Sequence, residues 1–159
     1  MSIKNKPFFW KIIKYPPQFI YAIGLGPIYG RMVLLLTTTG RISGLPRVTP
    51  LQYEEIDGEI IIGSARGINA DWFKNIQADP QVKVQVRSRK FTGIGEPVTD
   101  PSRIADFLEY RLRKNPRMIG FIMSREGVSK DPSREELEKH ATRKAMVVIK
   151  PISNHVATF

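Results

Sequence analysis

Residues 32–53, MVLLLTTTGRISGLPRVTPLQY, constrain the fold more than any other stretch of the chain. Val33, Leu34, Leu35 and Leu36 form an apolar run, and Thr37, Thr38 and Thr39 keep strand propensity while adding hydroxyls, so the pattern is a buried strand reaching a polar rim. Gly40 and Gly44 bracket Arg41, Ile42 and Ser43, and glycine supplies the positive φ that a tight connection needs. From Arg47 onward the side chains alternate, and Pro50 is tolerated only on an edge strand or at a bulge. The stretch is therefore a β-hairpin. Its tip offers glycine N–H groups, the Ser43 hydroxyl and the guanidinium groups of Arg41 and Arg47, a set that can cradle a phosphate. The same residues also suit an ordinary polar turn.

A chain of 159 residues supports one domain around one core. It has no cysteine, which excludes disulfides, thiolate metal sites and a cysteine nucleophile, and with only His140 and His155 no metal centre is expected. The composition is compatible with a cytoplasmic protein. A net charge of +10 calls for an anionic partner, whether nucleic acid, lipid headgroup or phosphorylated cofactor. No zinc-finger spacing, RNA-recognition aromatic motif or helix-turn-helix is visible, so nucleic acid is not expected. A solvated basic surface without a specific partner is the plain alternative.

Residues 1–31 carry Lys4, Lys6, Lys11, Lys14 and Arg31 and no acidic residue, so 1–30 are read as a basic, aromatic segment ahead of the single domain. In 7–15 (PFFWKIIKY) the residues Phe8, Phe9, Ile12 and Ile13 share one helical face and Lys11 and Lys14 another. Such a helix suits an anionic membrane surface, or packing on the body of the protein or on a second subunit. The apolar run at 18–29 is too short, and too interrupted by Gly24, Gly26 and Pro27, to span a bilayer. Its GLGPIYG lacks the spacing of a dinucleotide fingerprint and is assigned to a loop.

After the hairpin, 54–58 reads as a polar turn and 59–63 (EIIIG) as a short strand. The small residues Ser64 and Ala65, with Arg66 and Gly67, would let a flat ring approach the backbone; a simple strand-to-helix loop explains them too. Asn69 is read as the cap of a helix in which Trp72, Phe73 and Ile76 face inward and which Asp79-Pro80 ends. Residues 81–87 alternate cleanly as a strand, and 90–98 is its partner, with Gly93 and Gly95 suggesting a bulge or bend. Asp100-Pro101 opens a helix buried through Ile104, Phe107, Leu108 and Leu112. A second helix covers 118–124, and Ser133 with Glu136 makes a capping box for a third that reaches His140, read as a charge-favourable helix end. Residues 144–150 form a closing strand. Six strands, one helix inserted among them and helices clustered late give an α+β class: a small closed or split barrel with helices packed outside.

With these residues located, the chain resembles the deazaflavin (F420)-dependent nitroreductase family, also described as F420-dependent quinone reductases, within the flavin-type split β-barrel superfamily. The motifs are LLLTTTGRISGLPRVTPL at 34–51, GSARG at 63–67 and ADWFKNIQADPQVKVQV at 70–86, and the resemblance covers about residues 30–151. It implies a six-stranded split barrel of the FMN-binding type, assembled as a homodimer. It also implies a reduced deazaflavin or flavin that passes hydride to an electron-poor small molecule such as a quinone or nitro compound. Carried over by position, Arg41, Ser43 and Arg47 would hold the cofactor phosphate, Thr49, Pro50 and Leu51 would line its stem, Ser64, Ala65 and Arg66 would contact the ring system, and Trp72 would help close the pocket. Ile42 departs from the family, which often has lysine there, and Tyr110 is offered for a substrate-side tyrosine without a motif behind it. The basic charge favours coenzyme F420, with its phosphodiester and γ-glutamyl tail, over FMN. An FMN-dependent reductase, or a non-enzymatic binder of an apolar or tetrapyrrole ligand, is the alternative.

Overall fold

The computed structural model describes residues 33–152; the readings made for the N-terminal segment 1–30 lie outside the described residues. β1 (Val33–Thr39) and β2 (Pro46–Gln52) pair antiparallel, from Val33 with Gln52 to Thr39 with Pro46, so the hairpin forms as its sequence indicates. β3 (Glu54–Ile56) with β4 (Glu59–Ser64) makes a second hairpin and β5 (Gln81–Val86) with β6 (Arg89–Val98) a third. β7 (Ala145–Pro151) lies between β6 and β4, and the seven strands run in the order β2-β1-β5-β6-β7-β4-β3.

The six-strand expectation therefore missed β3. Asp57 and Gly58 have φ of 52° and 80°, which two-residue hairpin turns of the Asp-Gly kind require, so 54–58 is a strand and a turn rather than a turn alone. Pro50 sits, as expected, on an edge strand.

The two edges, β2 and β3, are separated in the chain by Tyr53 alone, so the sheet must curl until its ends approach each other. Its concave side gathers Leu34, Leu36, Ile60, Ile62, Val82, Val84, Val147 and Ile149 into one core, each fully buried residue contributing about 1.5–3 kcal/mol. α1 (Asp71–Ala78) sets Trp72, Phe73 and Ile76 into that same core. One helix thus fills the barrel instead of packing outside it.

α2 (Pro101–Lys114), α3 (Pro116–Arg125) and α4 (Arg134–Ala141) are the outer helices. Ile104 and Phe107 of α2 meet Met146 and Val148, the alternate residues of β7, and Ala105, Ile119, Met123 and Leu137 bind the outer helices to one another. Arg111 donates to the Gln52 side chain at 3.1 Å and Lys114 pairs with Glu54, so α2 clamps the point where β2 passes into β3.

Gly93 and Gly95 produce no bulge, for both registers of β6 run unbroken. Both face the core. A Cβ on Gly93 would stand 2.6 Å from Ile149 Cγ2, and one on Gly95 would stand 3.0 Å from Ile76 Cγ2, so the glycines make room for the side chains that fill the barrel. Asn69 likewise gives no cap: it ends a 3-10 turn, Gly67–Asn69, and Ala70 stands at the start of α1. The expected capping box is half present. Ser133 accepts from Glu136 N, while the Glu136 carboxylate turns to Ser129 N (2.7 Å) and Oγ (2.6 Å).

Candidate functional site

At one end of the barrel the β1–β2 turn meets the N-terminal half of α1. Arg41 Nη2 lies 3.0 Å from Asp71 Oδ1 and its Nη1 donates to Asn75 Oδ1 at 3.0 Å, while the Arg41 backbone N–H donates to the same Asn75 oxygen at 3.2 Å. Asn75 Nδ2 donates in turn to Thr38 Oγ1 at 3.1 Å, deep in the barrel. Asn75 is 3% exposed, so one buried amide ties β1, the hairpin tip and α1 together. The Arg41 guanidinium also holds the Asp71 carboxyl below the usual carboxylate range, with Lys74 and Arg66 adding to the effect.

The tip does not offer the amides that its glycines suggested. Gly40 N–H donates to Leu45 O at 2.8 Å and Gly44 N–H to Gly40 O at 2.7 Å, and Leu45 N–H is taken by Ser43 Oγ. At this turn the N–H groups of Ile42 and Ser43 form no hydrogen bond among the described residues. Arg47 reaches Ser43 Oγ at 3.4 Å from an exposed position. The anion-binding set at the tip is thus two non-glycine amides, the Ser43 hydroxyl and Arg47, while Arg41 is turned toward α1.

The loop after β4 joins the same end, since it leads directly into α1. Ser64 is buried and its Oγ donates to Gly67 O at 2.7 Å, which closes the loop on itself, while Ala65 and Arg66 are exposed. Gly67 has φ of 59°, and a Cβ there would stand 2.7 Å from Arg143 O, so only glycine lets the loop lie against the segment entering β7. From that segment Lys144 Nζ donates to Ala65 O at 3.2 Å and pairs with Glu126 at 2.9 Å. His140 Nε2 also lies 3.0 Å from Glu126 Oε2. His140 is 5% exposed, and burial, with Lys144 beside it, pushes its imidazole below the ordinary range. Burial thus works against the charge that its helix-end position suggested.

Thr49, Pro50 and Leu51 follow the tip along β2 and are half-buried, with Leu51 packed on the barrel core. Trp72 is 8% exposed and edge-on to Phe73, with ring centroids 6.1 Å apart. Tyr110 stands elsewhere. Lys114 lies over its ring and pairs with Glu54, just beyond the far end of β2, roughly 17 Å along the strand from Arg47 at about 3.4 Å per residue.

The sequence profile of the F420H(2)-dependent quinone reductase family matches residues 23–119. The chain belongs to this family. An F420H(2)-dependent quinone reductase of Mycobacterium tuberculosis is 35% identical over 68 residues, which cover 41% of this chain and 46% of the relative. The match thus spans about half the length of such curated relatives. The fold is that of a solved conserved hypothetical protein from Mycobacterium tuberculosis (18% identity, 83% of this chain and 80% of that one, TM-score 0.54). It is also that of an F420-H2 dependent reductase, FDR-A (18% identity, 76% of this chain and 95% of that one, TM-score 0.52). The match thus runs from before β1 through all of α2 and into α3, and it includes the β1–β2 tip, the loop after β4 and α1 but not Glu126, His140, Arg143 or Lys144.

Proposed function

We propose that this chain is an oxidoreductase of the flavin-type split-barrel kind that binds reduced coenzyme F420 and serves the reduction of a quinone or another electron-poor acceptor. The family membership supports the reaction, and the observation that carries the binding mode is the tip itself. Two amides without a partner, a hydroxyl and an exposed arginine lie on that one turn, the chemistry that a phosphate demands. The residues present therefore fit the phosphate end of such a cofactor. When bound, the reduced deazaflavin supplies a hydride, and a quinone that takes it with one proton leaves as hydroquinone.

In this reading Arg47, Ser43 and the Ile42 and Ser43 amides hold the phosphate, and Arg41 holds the tip in shape through Asp71 and Asn75. Thr49, Pro50 and Leu51 line the stem, and the backbone of Ser64, Ala65 and Arg66 orients the ring. Trp72 closes the site from beneath, as part of the core on which the loop rests. Nothing in such a reaction needs an acid–base dyad from the protein. A homodimer is the assembly we infer, because Ile94 and Ile152, both exposed, share the outer face where Ile152 N–H donates to Thr92 O at 3.0 Å. The acid-free segment 1–30 is proposed as a further cover for the site or a contact with anionic lipid.

Fluorescence titration of the protein with F420 and with FMN tests the reading. F420 is expected to bind more tightly, and Arg47→Ala to weaken it roughly ten-fold to a hundred-fold, the loss of one charge-assisted contact. Preference for FMN would move the function to an FMN-dependent reductase. Binding of neither, with uptake of a tetrapyrrole, would make the protein a non-enzymatic carrier.

A further inference from the structure

α3 carries an arrangement that neither the barrel nor the site uses. Ile119 and Met123 face the core between the outer helices, and at 100° per residue the position opposite them is Phe121, which is 61% exposed. Ile122 beside it is 39% exposed. Arg117 and Arg125 stand one turn before and after Phe121, and the Arg125 guanidinium lies 5.6 Å from the centre of its ring.

Residues 110–125 include Arg111, Arg113, Lys114, Arg117 and Arg125 and no acidic residue. Arg111 and Lys114 are answered by Glu54, whereas Arg113, Arg117 and Arg125 form no ion pair among the described residues. A single exposed apolar residue is ordinary. Here an aromatic apex, an apolar neighbour, two unpaired cations and the absence of acids coincide on one short helix, and a third unpaired cation, Arg113, stands at the end of α2 just before it.

We propose that α3 is a docking face for an anionic lipid bilayer. Phe121 and Ile122 enter the boundary between headgroups and acyl chains, and Arg113, Arg117 and Arg125 extend alongside to the phosphates. Charge complementarity selects this occupant. A second copy meeting α3 about a two-fold axis would set these arginines against their own equivalents, a costly juxtaposition of like charge. A neutral surface would leave the three cations without partners. The face is also connected to the candidate site, since Glu126, at the end of α3, holds Lys144, and Lys144 holds the Ala65 carbonyl. A docked bilayer would therefore stand near the loop proposed to meet the cofactor ring, within reach of an acceptor dissolved in lipid.

Lipid docking needs no cofactor, so it is measured independently of the proposed reaction. The full chain is co-sedimented with phosphatidylcholine vesicles, with and without phosphatidylglycerol, at low and high salt. Binding is expected only to the anionic vesicles and is expected to be released by salt. Arg117→Gln with Arg125→Gln should lower the partition coefficient about thirty-fold, five- to six-fold for each cation near an anionic surface. Phe121→Ser should lower it about ten-fold, and Arg117→Lys with Arg125→Lys should retain it, which separates charge from any loss of fold. No binding by the wild type would overturn the proposal, and so would equal binding by all variants. Conversion of a dimer to a monomer by Phe121→Ser, with vesicle binding unchanged, would overturn it by giving the face to subunit contact.

Discussion

Asn75→Leu is expected to destabilise the protein by about 2–4 kcal/mol and to weaken cofactor binding at the same time. The substitution removes three hydrogen bonds at once: two from Arg41 to Asn75 Oδ1 and one from Asn75 Nδ2 to Thr38. Thr38 is 1% exposed, so its hydroxyl would be left in the core without that partner, and a stranded polar group costs about 1–3 kcal/mol. Leucine is apolar and near in volume, so a void is not the cause. Asn75→Asp keeps the acceptor for Arg41 and should preserve more of the tip than leucine does. Urea unfolding checks this through a lower midpoint at unchanged slope. A midpoint equal to that of the wild type would mean that the amide does not organise this end of the barrel.

Gly67→Ala is the second large effect expected. A non-glycine residue in the left-handed region costs about 1–2 kcal/mol, and here the new Cβ also meets the Arg143 carbonyl at 2.7 Å, a backbone atom that cannot swing aside. The sum is expected to exceed 2 kcal/mol. Gly44→Ala provides the comparison, because Gly44 also has positive φ, 68°, but nothing within 4 Å of the added atom. It should therefore lose the conformational part alone, about 1–2 kcal/mol. Equal melting temperatures for the two variants would show that the contact with Arg143 does not constrain the loop. Displacement of Arg143 would carry Lys144 with it, and with Lys144 its hold on Ala65.

The parts of this structure that could be read in advance are those where one strong pattern governs several residues. The β1–β2 hairpin combined an apolar run, bracketing glycines and an alternating return. β5 alternated over its whole length, and α2 had its Asp-Pro start, where Asp100 does accept from Ser102 N. β3 was missed because three residues, two of them glutamates, give no apolar alternation, although Asp57-Gly58 was a readable hairpin signal.

The interior of the site was less legible, because it depends on which partner each group finds. The tip glycines looked like anion donors, yet their N–H groups close the turn, and the open amides belong to Ile42 and Ser43. Asn75 did leave a trace: it is a polar residue on the apolar stripe of α1 with Trp72 and Ile76, and an amide in such a place must satisfy something buried. The chain of His140, Glu126, Lys144 and Ala65 spans residues far apart in sequence, and no local pattern announces it.

This barrel end is proposed to hold a reduced deazaflavin and to direct its hydride to a quinone. The most direct measurement of that claim mixes the protein anaerobically with F420H2 and a water-soluble quinone and follows the return of oxidised F420, with reduced FMN run in parallel. Oxidation of F420H2 that depends on the protein, is slowed by Arg47→Ala at low cofactor concentration and exceeds any rate with reduced FMN is the expected result. A rate with F420H2 no greater than that of the protein-free mixture would contradict the claim, as would turnover with reduced FMN alone.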